Sequence, residues 1–463
     1  MSESSQNSFL DAPLSHLYVK TALPIILIMG MNGFLTVVDA FFLGHYVGAD
    51  ALSAVTLIFP LYMVIVALAT LVASGMSSIL ARYLGGARRE EAQRLFASAH
   101  WLALCLGGVL ILLYLAVGAP MVQIAAGGAG EIAEMAQSYL QILVVFSPVL
   151  FILSVNSDAL RNEGRVGLMA AMSLLVSLSN IGFNYLLIAV WSYGVVGSAV
   201  GTVLAQAVAL AIILAVRLRG QTTLRPGAVL RHVSAVEWRP ILALGAPQSL
   251  NFLGIALGSS AILMALQMFQ SPNYAATVSA YGITTRVITF AFLPLLGLSQ
   301  AMQTITGNNT GAGLWQRRDQ SLRVAVFSAL VYCGAVQVFV TVFARQIGAS
   351  FVDDPQVIAE TAAILPVMSM LFVLAGPLMM LAAHFQAIGD APRAAVLGLS
   401  KPYLFALPMT FILPFLFGSE AVWWAGPMAE LMLLGLAALV LYQRSRREML
   451  RWGLFSSVVE DRA

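Results

Sequence analysis

Four polar residues stand out in an otherwise apolar chain: Asp39, Asn180, Asn184 and Thr202. Asp39 lies in the stretch LTVVDAFFLGHYVG, about 27 Å along a helix counted from Thr21. Asn180 and Asn184 are four residues apart, so they share one face of a helix. Counted from Val166 they lie roughly 21 and 27 Å along it. Thr202 falls about 15 Å from the start of the next helix, which runs the opposite way. The four groups therefore sit at comparable depths. A carboxylate supplemented by amide and hydroxyl oxygens is chemistry for a proton or a hard cation such as sodium. Acids inside membrane spans are costly and default to function.

Two more charged residues fall within or beside the apolar runs. Asp158 stands three residues before Arg161, which suits a local ion pair at a helix end. Arg286 lies inside the eighth run, where its long stem can snorkel or line a cavity. No helix of the second half is expected to carry a mid-depth acid, and Arg286 is read as the one basic residue within a span. The two cysteines, Cys105 and Cys333, are isolated in apolar stretches and read as buried small hydrophobes. Phosphate-binding glycine loops, paired metal-binding histidines and nucleophile elbows are absent from the sequence. Cofactors are therefore not expected, and any transport by such a chain, without a nucleotide site, is driven by an ion gradient or runs passively.

These groups must be positioned by membrane helices. The chain is 60% hydrophobic and only 10% charged over 463 residues, against about 25% charged in soluble domains. Runs of about 20 apolar residues cross a bilayer. Twelve spans are read, near 17–43, 50–80, 96–120, 135–160, 166–190, 193–217, 240–268, 276–306, 324–346, 356–388, 395–417 and 420–442. Prolines inside several of them, among them Pro24, Pro148, Pro294 and Pro377, foretell bent helices. The polar first 13 residues carry no basic segment and do not read as a secretory signal.

Basic residues orient the spans. Counting Lys20, Arg393 and Lys401 with the connections on one side, 22 of the 24 Lys and Arg residues share that side. Both termini are then cytoplasmic and the chain is a plasma or inner membrane protein. The net charge of +3 is a topology signal and an attraction to anionic lipid, not a nucleic-acid patch.

The chain also repeats. Ser53-Ala54 and Gly85-Gly86-Ala87 recur as Ser279-Ala280 and Gly311-Ala312-Gly313, each 226 residues on. Six helices per unit is an even number, so both units enter the membrane in the same direction. This gives an N-terminal lobe over 1–220, an interlobe linker over 221–239 and a C-terminal lobe with a basic tail over 240–463. Parallel repeats of this kind place a substrate cavity between lobes.

Pro24, Asp39, Gly44-His45 and Gly48, then Leu160 to Gly164, Asn180 with Asn184 to Ile188, Gly194 to Thr202, Gly297 to Gln300 and Gly307 to Ala312 occur in one order along the chain. In that order they resemble the multidrug and toxic compound extrusion (MATE) family, nearest its DNA-damage-inducible-type branch. The resemblance implies antiport of amphiphilic, often cationic compounds against protons or sodium. It also implies that Asp39, Asn180 and Thr202 match cation-site positions. The chain departs at Asn184, where many relatives carry Asp, and this favours a proton over sodium. Small amphiphiles and lipid are the expected partners, and a monomer the expected state. The alternatives are a flippase for lipid-linked precursors and, more remotely, a membrane-embedded enzyme. The first is disfavoured by the scarcity of basic groups within spans, the second by the lack of converging His, Asp or Ser groups.

The orientation is testable with single cysteines in a Cys105→Ala/Cys333→Ala background. Arg88→Cys should react with an impermeant maleimide only in inverted vesicles, and Asp50→Cys only in intact spheroplasts. The opposite pattern would invert the topology.

Overall fold

A computed structural model describes residues 7–125, 128, 130–232, 234–269, 273–448 and 450–455. Its regular structure is helical, as hydrogen bonding in lipid demands of a backbone with no water to turn to. Among the described residues, ten helices are long and apolar enough to cross a membrane. They are α1 (Leu14–Val47), α2 (Phe59–Gly85), α3 (Arg89–Ile124), α5 (Val166–Val190), α6 (Gly194–Leu218), α7 (Trp238–Met268), α8 (Tyr274–Gly311), α9 (Trp315–Val342), α11 (Ala391–Phe417) and α12 (Ser419–Glu448). Two bent pairs complete the set of twelve: α4 (Glu131–Val145 with Ser147–Asn162, bent by 48°) and α10 (Pro355–Met368 with Phe372–Ile388, bent by 45°). The chain is an integral membrane protein.

The breaks have local causes. Pro148 sits in the first turn after the α4 bend, where its missing N–H is harmless. At the α10 break the freed N–H of Val373 donates to the Gln337 side chain of α9 at 2.9 Å. The second apolar run divides at Ile58 into a short helix, Ala49–Leu57, and α2. Pro60 lies just past that division, in the first turn of α2.

The chain separates into two compact units, Met1–Asp11 with Leu23–Ser249, and Ala12–Ala22 with Leu250–Ala463. One division precedes α1, and the other two fall inside α1 and α7. In the first unit α2 is the most buried helix, and small residues from Ala73 to Ser78 line its core. It meets the start of α7 backbone to backbone. A Cβ on Gly75 would fall 2.0 Å from the Ile241 carbonyl oxygen, and one on Gly245 would fall 1.8 Å from that of Leu71. Helix association in lipid relies on such close approach. It explains why α7 up to Ser249 belongs with the first six spans.

Residues 221–239 are fastened to that unit rather than free. Arg217 and Glu163 form a fully buried ion pair at 3.0 Å. Glu163 also accepts the Leu224 N–H at 2.6 Å, and Arg217 donates to the Leu224 carbonyl at 3.1 Å. Further along, Trp101 of α3 donates to the Val229 carbonyl and Ser98 to that of Ser234. In the second unit the Tyr18 hydroxyl bonds to Ser321, anchoring the opening of α1. Cys333 is buried, but Cys105 is exposed beside exposed Leu104 on the apolar outer face of α3.

Gly75→Leu should prevent the α2–α7 crossing. Overpacking of this kind costs about 1–3 kcal/mol or more, so the detergent-solubilised protein should melt several degrees lower or fail to accumulate. Gly108→Ala, where a Cβ meets nothing within 4 Å, should leave the melting curve unchanged.

Candidate functional site

The four residues singled out by depth form one connected network in the first unit. Asn184 Nδ2 donates to Asp39 Oδ1 at 2.5 Å and to Asn180 Oδ1 at 3.2 Å. Asn180 Nδ2 donates to Thr202 Oγ1 at 3.0 Å, and that hydroxyl donates to the Ser198 carbonyl at 3.1 Å. Asn180 and Asn184 are buried, while Asp39 and Thr202 are half-buried. The i,i+4 spacing on α5 aligns the two amides between Asp39 of α1 and Thr202 of α6. Bonds to a charged group contribute about 1.5–3 kcal/mol each.

Small residues make the approach of α6 to α5 close enough. A Cβ on Gly201 would lie 2.7 Å from Asn184 Oδ1, and one on Gly197 would lie 3.1 Å from the Leu187 carbonyl oxygen. Asn184 also immediately precedes a π-helical turn, Tyr185–Val190. A second π turn, Leu43–Val47, ends α1 a few residues after Asp39. π turns recur at functional sites. An apolar cluster of Phe42, Leu43, Ala51, Ile188 and Val195 packs around this end of the unit, with Tyr139 against it. Tyr62 and Tyr139 both lie within electrostatic range of the Asp39 carboxylate. Sequence reasoning passed over both tyrosines, because tyrosine is common at membrane interfaces for other reasons.

The network offers N–H groups as well as oxygens. A hard cation wants converging oxygens. Here the Asn184 N–H group occupies the space between Asp39 Oδ1 and Asn180 Oδ1 and donates to both. The remaining oxygen, Asn184 Oδ1, is buried without a hydrogen-bond partner. Clusters of three or more His, Cys, Asp or Glu side chains suited to a metal are absent among the described residues.

The two secondary candidates do not join the network. Asp158 pairs with Arg161 at 2.8 Å, and Arg161 also donates to Ser77 at 3.0 Å, so Asp158 serves a local bridge. Arg286 on α8 is exposed, with no ion pair among the described residues.

A charge pair in the second unit corrects the expectation that no acid lies at depth there. Lys401 and Glu430 form an ion pair at 2.6 Å. Lys401 lies about 15 Å along α11 from Ala391, inside the span and not in the connection before it. Glu430 lies within α12 and is buried. Both were legible as charges in apolar runs, but Lys401 follows Arg393 closely and merged with it in the basic count.

A family model for MatE matches residues 24–186 and again 254–412. This chain belongs to the MATE family. It is a membrane transporter, not an enzyme, and the double match mirrors the internal repeat. Among curated relatives, the multidrug export protein MepA of Staphylococcus haemolyticus is 24% identical over 415 residues, covering 89% of each chain. The FAD transporter of Shewanella oneidensis is 25% identical over 449 residues, covering 95% of this chain and 96% of that one. Among solved structures, an outward-facing multidrug resistance MATE transporter superposes with a TM-score of 0.86 at 22% identity, over 96% of this chain and 98% of that one. That likeness confirms the fold.

Gly201→Ala should press on Asn184 and pull the network apart while the helix persists. Substrate flux in vesicles should fall by about tenfold, as small misplacements do in other preorganised sites. Gly182→Ala, on α5 with open space around it, should transport normally.

Proposed function

We propose that this transporter exports amphiphilic, mainly cationic compounds across the plasma membrane in exchange for protons, with Asp39 as the proton-carrying group. The observation that carries this reading is the bond from Asn184 Nδ2 to Asp39 Oδ1. An N–H donor satisfies a carboxylate where a cation would otherwise be needed. Protonation of Asp39 at Oδ1 turns that oxygen from acceptor to donor, and the bond then rearranges. Asn184 has an answer within its own side chain. Turning its amide by half a revolution presents Oδ1, which has no partner, to the new O–H, and the same turn of the Asn180 amide lets its Nδ2 donate to Asn184 while its Oδ1 accepts from the Thr202 hydroxyl. The site then has two self-consistent states, one per protonation state of Asp39. A transporter working by alternating access needs a two-state element biased by its coupling ion.

The multidrug export relatives support export of varied amphiphiles, and the FAD transporter shows that a similar chain carries an anionic dinucleotide. The preference for a proton over sodium rests on the amide geometry above. Cytoplasmic termini and a monomeric state remain part of this reading, resting on the one-sided arginines and on a cluster contained within one unit.

Asp39→Asn, a neutral mimic of the protonated acid, should fold but lose efflux driven by a pH gradient in proteoliposomes, by about a hundredfold or to background. Asn184→Ala should reduce efflux less, because the carboxyl group that carries the proton is kept. Robust pH-driven efflux by Asp39→Asn would overturn the proposal. Sodium-driven efflux at constant pH, abolished by Asn184→Ala, would replace the proton with sodium.

A further inference from the structure

The Lys401–Glu430 pair invites a role of its own. Buried ion pairs contribute little net stability, and apolar residues of similar volume often do better. Charges held at membrane depth are functional by default. This pair is also lopsided. The Lys401 side chain is 31% exposed and that of Glu430 only 6%. Glu430 Oε1 accepts from the ammonium, while Oε2 is buried with no partner. The ammonium is thus the removable member, and the carboxylate is reached by displacing it.

The backbone presents Lys401 deliberately. It lies in a π turn, Ser400–Ala406. Pro402 follows it and has no N–H to continue an α-helical ladder. The turn is pinned on α7: the Tyr403 hydroxyl donates to the Leu250 carbonyl at 2.7 Å, and Pro402 packs where a Cβ on Gly254 would come within 2.8 Å. The Phe292 ring of α8 lies under the ammonium, its centroid 5.9 Å from Nζ. Ring faces attract cations of any kind, including organic ones. The first unit carries its own polar groups on its fifth and sixth spans, beside a π turn. The second unit carries this pair on the corresponding eleventh and twelfth.

We propose that Glu430 and the Phe292 face form a binding site for the cationic nitrogen of an amphiphilic substrate, and that Lys401 is a tethered counter-cation which that nitrogen displaces. When substrate leaves, Lys401 returns and neutralises Glu430, so the empty carrier holds no bare carboxylate in this unit. The inference rests on the export of cationic amphiphiles proposed above, and it adds a direct competition between substrate and a side chain.

Equilibrium binding of tetraphenylphosphonium to the purified full-length protein in detergent, at fixed pH and sodium, tests it without any gradient. Lys401→Gln keeps a hydrogen-bond donor for Glu430 but removes the competing charge, and should bind the probe about tenfold more tightly. Glu430→Gln should bind it about tenfold more weakly. The double variant should be no tighter than Glu430→Gln. Neutral triphenylphosphine oxide should bind all four forms alike. A folded Lys401→Gln protein that binds tetraphenylphosphonium no better than wild type would overturn the proposal, as would an unchanged affinity in Glu430→Gln. Wild-type binding with no shift in the variants defeats this site alone. Binding by Lys401→Gln but not by wild type supports it. Absence of binding in every form defeats it together with the cationic-substrate reading, whereas pH-driven efflux in Asp39→Asn tests the proton-coupling reading separately.

Discussion

A polar group at membrane depth must find its partners within the protein, and the arrangement of polar side chains in this protein follows from that constraint. The Asp39 carboxylate needs a donor and finds the Asn184 amide; Asn184 and Asn180 hand their N–H groups on in turn to Asn180 and Thr202; the threonine hydroxyl ends the relay on a backbone carbonyl. Each member is oriented by the next, so the direction of donation along the chain is set by the one group that can change it. The same constraint explains the Gln337 side chain that caps a freed N–H at the α10 bend, and the lysine that neutralises Glu430.

Positioning these groups falls to small residues. Lipid supplies no hydrophobic force to press helices together, so contact depends on shape. Gly197 and Gly201, one turn apart, let α6 lie against α5 closely enough for an amide to reach a threonine hydroxyl. Gly75 and Gly245 do the same for α2 and α7 through their backbones. A protein built this way tolerates exchange of one large apolar residue for another facing lipid far better than a methyl group added at a crossing.

Much of this was legible in the sequence, for identifiable reasons. Hydrophobic length reports spans directly, and twelve were there to be counted. The depth of Asp39, Asn180, Asn184 and Thr202 followed from residue counts, because a helix in a membrane has a nearly fixed rise. Asp158 and Arg161 were visible as an i,i+3 pair. The unit divisions were not, because a helix that starts in one unit and ends in the other leaves no break in hydropathy. Ser249 and Leu250 lie in the middle of one continuous helix, with no charged residue between Arg239 and Met268. Lys401 and Glu430 were hidden differently. Their partnership joins two residues 29 positions apart on consecutive helices, and neither position carries a local signal of the other. The π turns were also invisible, since Tyr185–Val190 and Leu43–Val47 read as ordinary continuations of apolar helices.

Those π turns connect the site to the rest of its unit. A π turn carries one more residue per hydrogen-bonded loop than an α-helix, so it is a place where a helix departs from its regular ladder. Both π turns of the first unit lie within a few residues of the network, one after Asp39 and one directly after Asn184, and the two touch each other. In the proposed cycle the bond that must rearrange on protonation joins these same two helices. The elements most compliant in backbone geometry therefore stand beside the bond that changes, while the glycine crossings hold the flanking helices in register. A rotation at the Asp39–Asn184 contact would pass first into the π turns, because the α-helical ladders on either side resist it, and from there into the ends of α1 and α5.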